Sequence, residues 1–178
     1  VGKSGKKIVR YALLAGFFSG LSVVTKGPVG FLLLGLTFTV YVCIKRFKVF
    51  PKFSHILIFF CGLILTLGAW LSIELAQNGW DVLIQFIEYQ VELFNSGVAG
   101  HEQPFYYHFI VVFFGCFPMS IIALPMFKPS KSEYPYDLRV WMIALFWVVI
   151  ILFSLTTTKI IHYSSMTYIP LSFLAALF

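Results

Sequence analysis

Six apolar runs dominate this chain of 178 residues, at 8–25, 28–44, 54–76, 105–127, 138–156 and from 163 to the last residue. A helix needs roughly 20 apolar residues, with a range of about 17–25, to cross a bilayer. The runs therefore predict an all-α fold, a polytopic integral membrane protein with about six transmembrane helices in a single transmembrane region over 1–178. Such a chain needs no soluble core, because lipid covers its apolar faces. Only 11% of the residues are charged and 60% are hydrophobic, whereas a soluble domain carries about a quarter charged residues.

The basic residues supply a topology. Residues 1–10, 45–52 (KRFKVFPK) and 128–139 (KPSKSEYPYDLR) hold eleven of the thirteen lysines and arginines. The segment 77–104 holds none, but carries Asp81, Glu88, Glu92 and Glu102. Lysine and arginine mark the cytoplasmic side, so the three basic segments are expected there, with 77–104 as an outer loop. This placement explains the net charge of +6 without nucleic acid as a partner. The first ten residues, VGKSGKKIVR, lack an initiator Met and no cleavage-like pattern follows them. The last, LSFLAALF, stop within an apolar run, and both ends suggest an internal piece of a larger membrane protein. Cys43, Cys61 and Cys116 all lie in apolar runs, where they read as small core residues, and no disulfide or metal spacing is visible.

Within the outer loop, Trp80, Leu83, Ile84, Ile87, Val91 and Phe94 follow helical spacing. Asp81, Gln85, Glu88 and Glu92 share another face, so an amphipathic helix at the membrane interface is expected over 80–94. The acidic face reads more simply as a solvated surface than as a catalytic pair. A glycine-containing polar turn, SGVAGHEQP, then leads into the aromatic run FYYHF.

Two cations fall off the cytoplasmic side. Lys26, in SVVTKGPVGF, lies about 15 residues, or roughly 23 Å at 1.5 Å per residue, from each cytoplasmic end of its hairpin. It can simply snorkel to headgroups. Alternatively it marks an anion site, since a helix break exposes backbone N–H groups that favour phosphate, and ionisable groups in spans are functional candidates. Lys159, with His162 and Tyr163, follows three threonines in TTTKIIHYSS; it is either an ordinary loop lysine or part of a phosphate site. His101 is either solvated or a donor to phosphate or hydroxyl, with Tyr106 and Tyr107 able to stack on a sugar face. No nucleophile triad, Walker loop or zinc motif is present. No cofactor is implied, and a divalent metal is left open.

Three stretches together, GLSVVTKGPVGFLLLGL, AGHEQPFYYHFIVVFFGCFP and TTKIIHYSSMTYIPL, resemble the family 39-like membrane glycosyltransferases. That group includes the protein O-mannosyltransferases and the bacterial aminoarabinose transferases. The resemblance implies a GT-C type fold with its site on the non-cytoplasmic side, in bacteria the periplasmic face of the inner membrane. Such enzymes move a sugar from a polyprenyl-phosphate donor to a lipid or protein acceptor. The family's TKGP lysine falls on Lys26, its later K…Y element on Lys159 and Tyr163, and its loop before the proline-aromatic run on His101 to Tyr107. The family's catalytic carboxylates belong to a first outer loop that would precede residue 1, so the catalytic residues are unknown here. The arginine that many members carry in the later outer loop is missing, since 53–127 contains no lysine or arginine. Departure of a lipid phosphate develops negative charge that fixed cations stabilise, while a carboxylate must act as base. This segment is thus expected to supply phosphate-binding and structural helices. The alternative is a transporter or flippase of a lipid-linked substrate, which broken helices beside an anion site also suit; a third is a scaffold whose lysines merely snorkel.

Overall fold

The computed structural model describes residues 3–95, 103–128, 136–156 and 161–178. In chain order its elements are α1 (Lys3–Lys26), α2 (Pro28–Ile44), α3 (Phe53–Asn95), α4 (Tyr107–Gly115), α5 (Met119–Ile122), a 3-10 helix at Leu124–Phe127, α6 (Tyr136–Leu155), a second 3-10 helix at Ile161–Thr167, and α7 (Tyr168–Ala176). Among the described residues every regular element is a helix, as expected.

The expected count of six spans is not met by helix length and composition. Among the described residues three helical stretches are long and apolar enough to cross a membrane, Gly5–Lys26, Phe53–Tyr89 and Leu138–Leu155. A fourth is reached if Tyr107–Gly115 and Met119–Phe127, bent by 104° at their junction, count as one. The physical reason is that apolar length does not guarantee a continuous helix. The run at 105–127 contains Pro118 and Pro125, which cannot donate to the helical ladder. The run at 28–44 makes a helix of only 17 residues. The run from 163 is a 3-10 helix followed by a nine-residue α7. The run at 54–76 errs the other way, because nothing in the sequence stops its helix before Asn95 except a break at Gly79.

The described chain forms two compact units, one of Val1–Gly35 with Lys45–Asn95 and one of Leu36–Ile44 with Ser96–Phe178. In the first, α1 and α3 pack backbone against backbone. A Cβ added at Gly16 would overlap the Phe59 carbonyl, one at Gly62 the Leu13 carbonyl, and one at Gly20 would stand 2.7 Å from Thr66 Cβ. Thr66 Oγ1 donates to the carbonyl of Gly62 at 2.9 Å and lies 3.4 Å from that of Phe17. Small residues at a crossing permit this approach, which in lipid replaces the hydrophobic effect as the source of helix association. The register rises together on both helices, from Leu13 beside Gly62 to Gly20 beside Thr66, so α1 and α3 run parallel. Between them the chain turns at Gly27, whose φ of 70° is left-handed and suits a helix-ending glycine. Its N–H donates to Val23 O at 2.8 Å, and Pro28 opens α2 in the first helical position, where a missing N–H costs nothing.

In the second unit, α4, α5 and the following 3-10 helix run beside α6. His108 lies against Phe153 with ring centroids 6.3 Å apart, Phe109 against Trp147 at 6.5 Å, and Phe127 against Phe146 at 5.0 Å. Arg139, in the first turn of α6, donates from Nε to Met126 O at 3.0 Å and from Nη2 to Lys128 O at 2.6 Å. The broken segment therefore starts at the C-terminal end of α6 and finishes at its N-terminal end, about 21 Å away along the helix. It is a crossing with a lateral step rather than a loop that returns to its own side. α7 closes the bundle, with Leu171, Leu174 and Ala175 in a core shared with Val112, Cys116, Ala123 and Ile150.

The α1–α3 contact gives a direct test. Gly62→Ala forces a methyl into the Leu13 carbonyl, and is expected to lower stability by about 1–3 kcal/mol. Gly68→Ala, on the same helix with nothing within 4 Å of the added carbon, is expected to be neutral or slightly stabilising. Unfolding titrations of the two variants in mild detergent measure the contrast.

Candidate functional site

The second unit gathers one polar corner and one apolar cavity along the α4–α6 seam. The corner is built from three places in the sequence: the start of α4, the end of α6 and the second 3-10 helix. Tyr107 meets His108 ring to ring at 5.3 Å, His108 meets Phe153 at 6.3 Å, and Phe153 meets Tyr163 at 5.1 Å. Around this stack His108, Ser164 and Thr167 are fully buried and Ser154 is 3% exposed. Thr167 Oγ1 donates to Ser164 O at 2.6 Å, which satisfies one hydroxyl within its own turn. Ser154 Oγ has no hydrogen-bond partner among the described residues. Buried polar groups are uncommon because each unmet hydrogen bond costs free energy, so a cluster of four in so apolar a chain marks this corner as specialised.

A cavity of about 490 Å³ in the same unit is lined chiefly by Phe109, Phe113, Phe127, Trp147, Ile150 and Leu171, and none of the corner's side chains lines it. It exists because the segment after α4 steps sideways instead of continuing along α6. The step frees the last carbonyls of α4, and Ser120 Oγ takes up one of them, donating to Phe113 O at 2.7 Å. A volume of this size is within the usual range for small-molecule sites. The cavity's lining is aromatic and aliphatic apart from Ser120, which suits a hydrocarbon chain.

Of the residues singled out in the sequence, Tyr106 is exposed, and Tyr107 and Tyr163 are half-buried. The structure brings Tyr107 and Tyr163 to opposite ends of one aromatic stack, although they were read as separate constellations. His162 belongs to the same 3-10 helix as Tyr163. Lys159 and His101 lie outside the described residues. Lys26 belongs to the first unit, exposed in the last turn of α1, where its charge complements the negative end of the helix dipole. The turn beside it offers fewer free donors than a helix break suggests: Pro28 has none, and Gly30 N–H donates to Gly27 O at 3.2 Å. Asp81 and Glu88 are exposed on the second half of α3, in keeping with a solvated face. No group of three or more histidine, cysteine or acidic side chains among the described residues is placed to hold a metal ion. Sequence reasoning passed over His108, Ser154, Ser164 and Thr167. Their signal is weak but present: His108 is a titratable residue entering an apolar run, and the other three are hydroxyls within or beside apolar runs.

No family model and no solved structure matches the chain. A protein of Aquifex aeolicus (strain VF5), described as an uncharacterized protein, is 27% identical to it over 154 residues, covering 85% of this chain and 34% of that relative. The chain thus spans about a third of the relative's length.

The corner predicts an asymmetry between two substitutions. Ser154→Ala removes a hydroxyl that makes no hydrogen bond among the described residues, so stability stays level or rises by up to about 1 kcal/mol. His108→Ala empties a buried ring site between Tyr107 and Phe153, and is expected to cost about 2–5 kcal/mol. Detergent unfolding of the purified variants separates the two.

Proposed function

We propose that this chain is part of a GT-C type membrane glycosyltransferase that moves a sugar from a polyprenyl-phosphate donor to a lipid or protein acceptor on the non-cytoplasmic side. The observation that carries the proposal is the aromatic stack that joins Tyr107 to Tyr163 through His108 and Phe153, in a unit that also holds an apolar cavity of about 490 Å³. The isoprenoid lies in that cavity between α4 and α6, and the phosphate and sugar sit at the corner. Tyrosine and serine hydroxyls donate to phosphate oxygens, and the tyrosine rings offer faces for a sugar. The three sequence stretches that resemble the family 39-like transferases support the same assignment, since two of them form the corner. Lys159 and His101, which lie near Tyr163 and Tyr107 in the sequence, are the proposed source of positive charge or donors for the leaving phosphate.

The parallel register of α1 and α3 supports a larger number of crossings than length alone gives. Two parallel spans require a return between them, and α2 is the only helix available to make it. On this reading α2 is a further crossing beside α1, α3, the broken 107–127 segment and α6. The proposed topology puts the basic segments 1–10, 45–52 and 128–139 in the cytoplasm, and the proposed location is a bacterial inner membrane with the site toward the periplasm.

A lipid-linked-substrate flippase is a second reading, and the 104° break between α4 and α5 favours it, because transporters build their sites from discontinuous helices. One assay distinguishes them. Full-length protein in proteoliposomes is given radiolabelled polyprenyl-phosphate sugar together with extracted membrane lipids as acceptors. The proposal expects covalent transfer of label, which Ile110→Trp, at a lining position that is half exposed, lowers at least severalfold without unfolding the protein. Movement of the donor between leaflets with no covalent product would establish the flippase instead.

A further inference from the structure

The second half of α3 carries a surface that neither the proposed reaction nor the packing of the unit uses. Helical geometry breaks at Gly79, with φ 70° and ψ −165°, a combination that glycine adopts readily and other residues do not. Trp70 and Phe86 would lie about 24 Å apart on a straight helix, yet their ring centroids are 6.0 Å apart. The arm after Gly79 therefore swings to roughly a right angle with the arm before it, or tighter.

Residues 53–78 alone extend about 39 Å, more than the ~30 Å hydrocarbon thickness, so the bilayer is used up by the time the chain reaches Gly79. Gln77 and Asn78 stand at that level, with Asn78 Nδ2 donating to Glu74 Oε1 at 2.8 Å.

The side chains of the arm divide three ways around its axis. Val82, Leu83 and Phe86 are half-buried and face the unit. Asp81, Gln85 and Glu88 are exposed on a second strip. Trp80, Ile84, Ile87 and Val91 form a third strip and are 70%, 51%, 61% and 53% exposed. At 100° per residue these three strips point about 120° apart. A helix leaving a membrane span at about a right angle runs along the surface. There a tryptophan and a strip of aliphatic residues find their preferred place at the boundary of headgroups and chains.

From these observations we infer that residues 80–91 ride in the membrane surface, with Trp80, Ile84, Ile87 and Val91 seated among lipid acyl chains and Asp81 and Glu88 at the level of the headgroups. The occupant of the exposed strip is lipid. The strip continues the apolar surface that the spanning arm of α3 presents through Leu57, Ile64, Leu65 and Ile73, all more than half exposed. Charge narrows the lipid: the described arm has acidic side chains and no basic ones, so it suits a zwitterionic surface and gains nothing from anionic headgroups. Among the described side chains of the apolar face expected in the sequence, Leu83 departs, since it turns toward the protein; the side chain of Phe94 lies outside the described ones.

Spin labels on the full-length protein test this, with the three native cysteines replaced by serine and the protein reconstituted in phosphatidylcholine vesicles. Labels at Ile84→Cys, Ile87→Cys and Val91→Cys are expected to be severalfold more accessible to oxygen relative to a water-soluble nickel chelate than labels at Gln85→Cys and Glu88→Cys. Nickel access at all five positions would place the arm in water and overturn the inference. Shielding of positions 84, 87 and 91 from both reagents would overturn it too, by showing that protein covers the strip. Brominated lipids give a second measurement that leaves the strip unlabelled. Bromines near the headgroup are expected to quench the unmodified protein more than Trp80→Phe, while equal quenching of the two would contradict a surface seat for Trp80.

Discussion

A backbone that bends inside hydrocarbon must find partners for the groups it frees, because no water is there to take them. The second unit is arranged around that constraint. Where the segment after α4 turns by 104°, Ser120 donates to the Phe113 carbonyl. Where the same segment ends, the guanidinium of Arg139 takes the carbonyls of Met126 and Lys128. With both ends of the step held, the chain runs sideways and still arrives at the first turn of α6. The cavity between Phe109, Trp147 and Leu171 is the space that this step leaves, so it depends on two side-chain donors, Ser120 in its lining and Arg139 outside it.

The first unit meets the same constraint with small residues. At Gly16 and Gly62 the helices come so close that backbone atoms of one occupy the place of side chains on the other, which is how helices gain dispersion energy where lipid offers no hydrophobic driving force. Hydroxyls along α1 are satisfied within the helix, Ser19 donating to Ala15 O at 2.8 Å and Ser22 to Ser19 O at 2.9 Å. They can therefore lie in an apolar setting at little cost. The two positive-φ glycines mark where the chain changes direction, Gly27 to reverse it and Gly79 to turn it aside.

The fold class was legible in the sequence because apolar runs and a one-sided distribution of lysine and arginine are strong signals. Helix continuity was not, and Pro118 shows why: proline can end a helix, kink it or sit in its first turn, and the choice depends on which donors elsewhere meet the freed carbonyls. Gly79 is the same problem in another form, since a glycine in a helical pattern announces a break only when something pulls the two arms together, here Trp70 and Phe86. At the candidate site, Tyr107 and Tyr163 were visible as aromatic residues near polar turns. Their convergence was not, because it runs through His108, whose local signal is weak, and Phe153, which has none, 45 positions apart in the numbering.

The crossing of the broken segment alongside α6 underlies both the topology and the position of the site. It is tested by single cysteines at Gln103 and Lys128, in protein whose native cysteines are replaced, probed with a membrane-impermeant maleimide on intact cells. Labelling at position 103, with labelling at 128 only after the membrane is permeabilised, is the predicted result. Labelling of both positions on intact cells, or of both only after permeabilisation, would mean that the segment returns to the side it came from and would contradict the crossing.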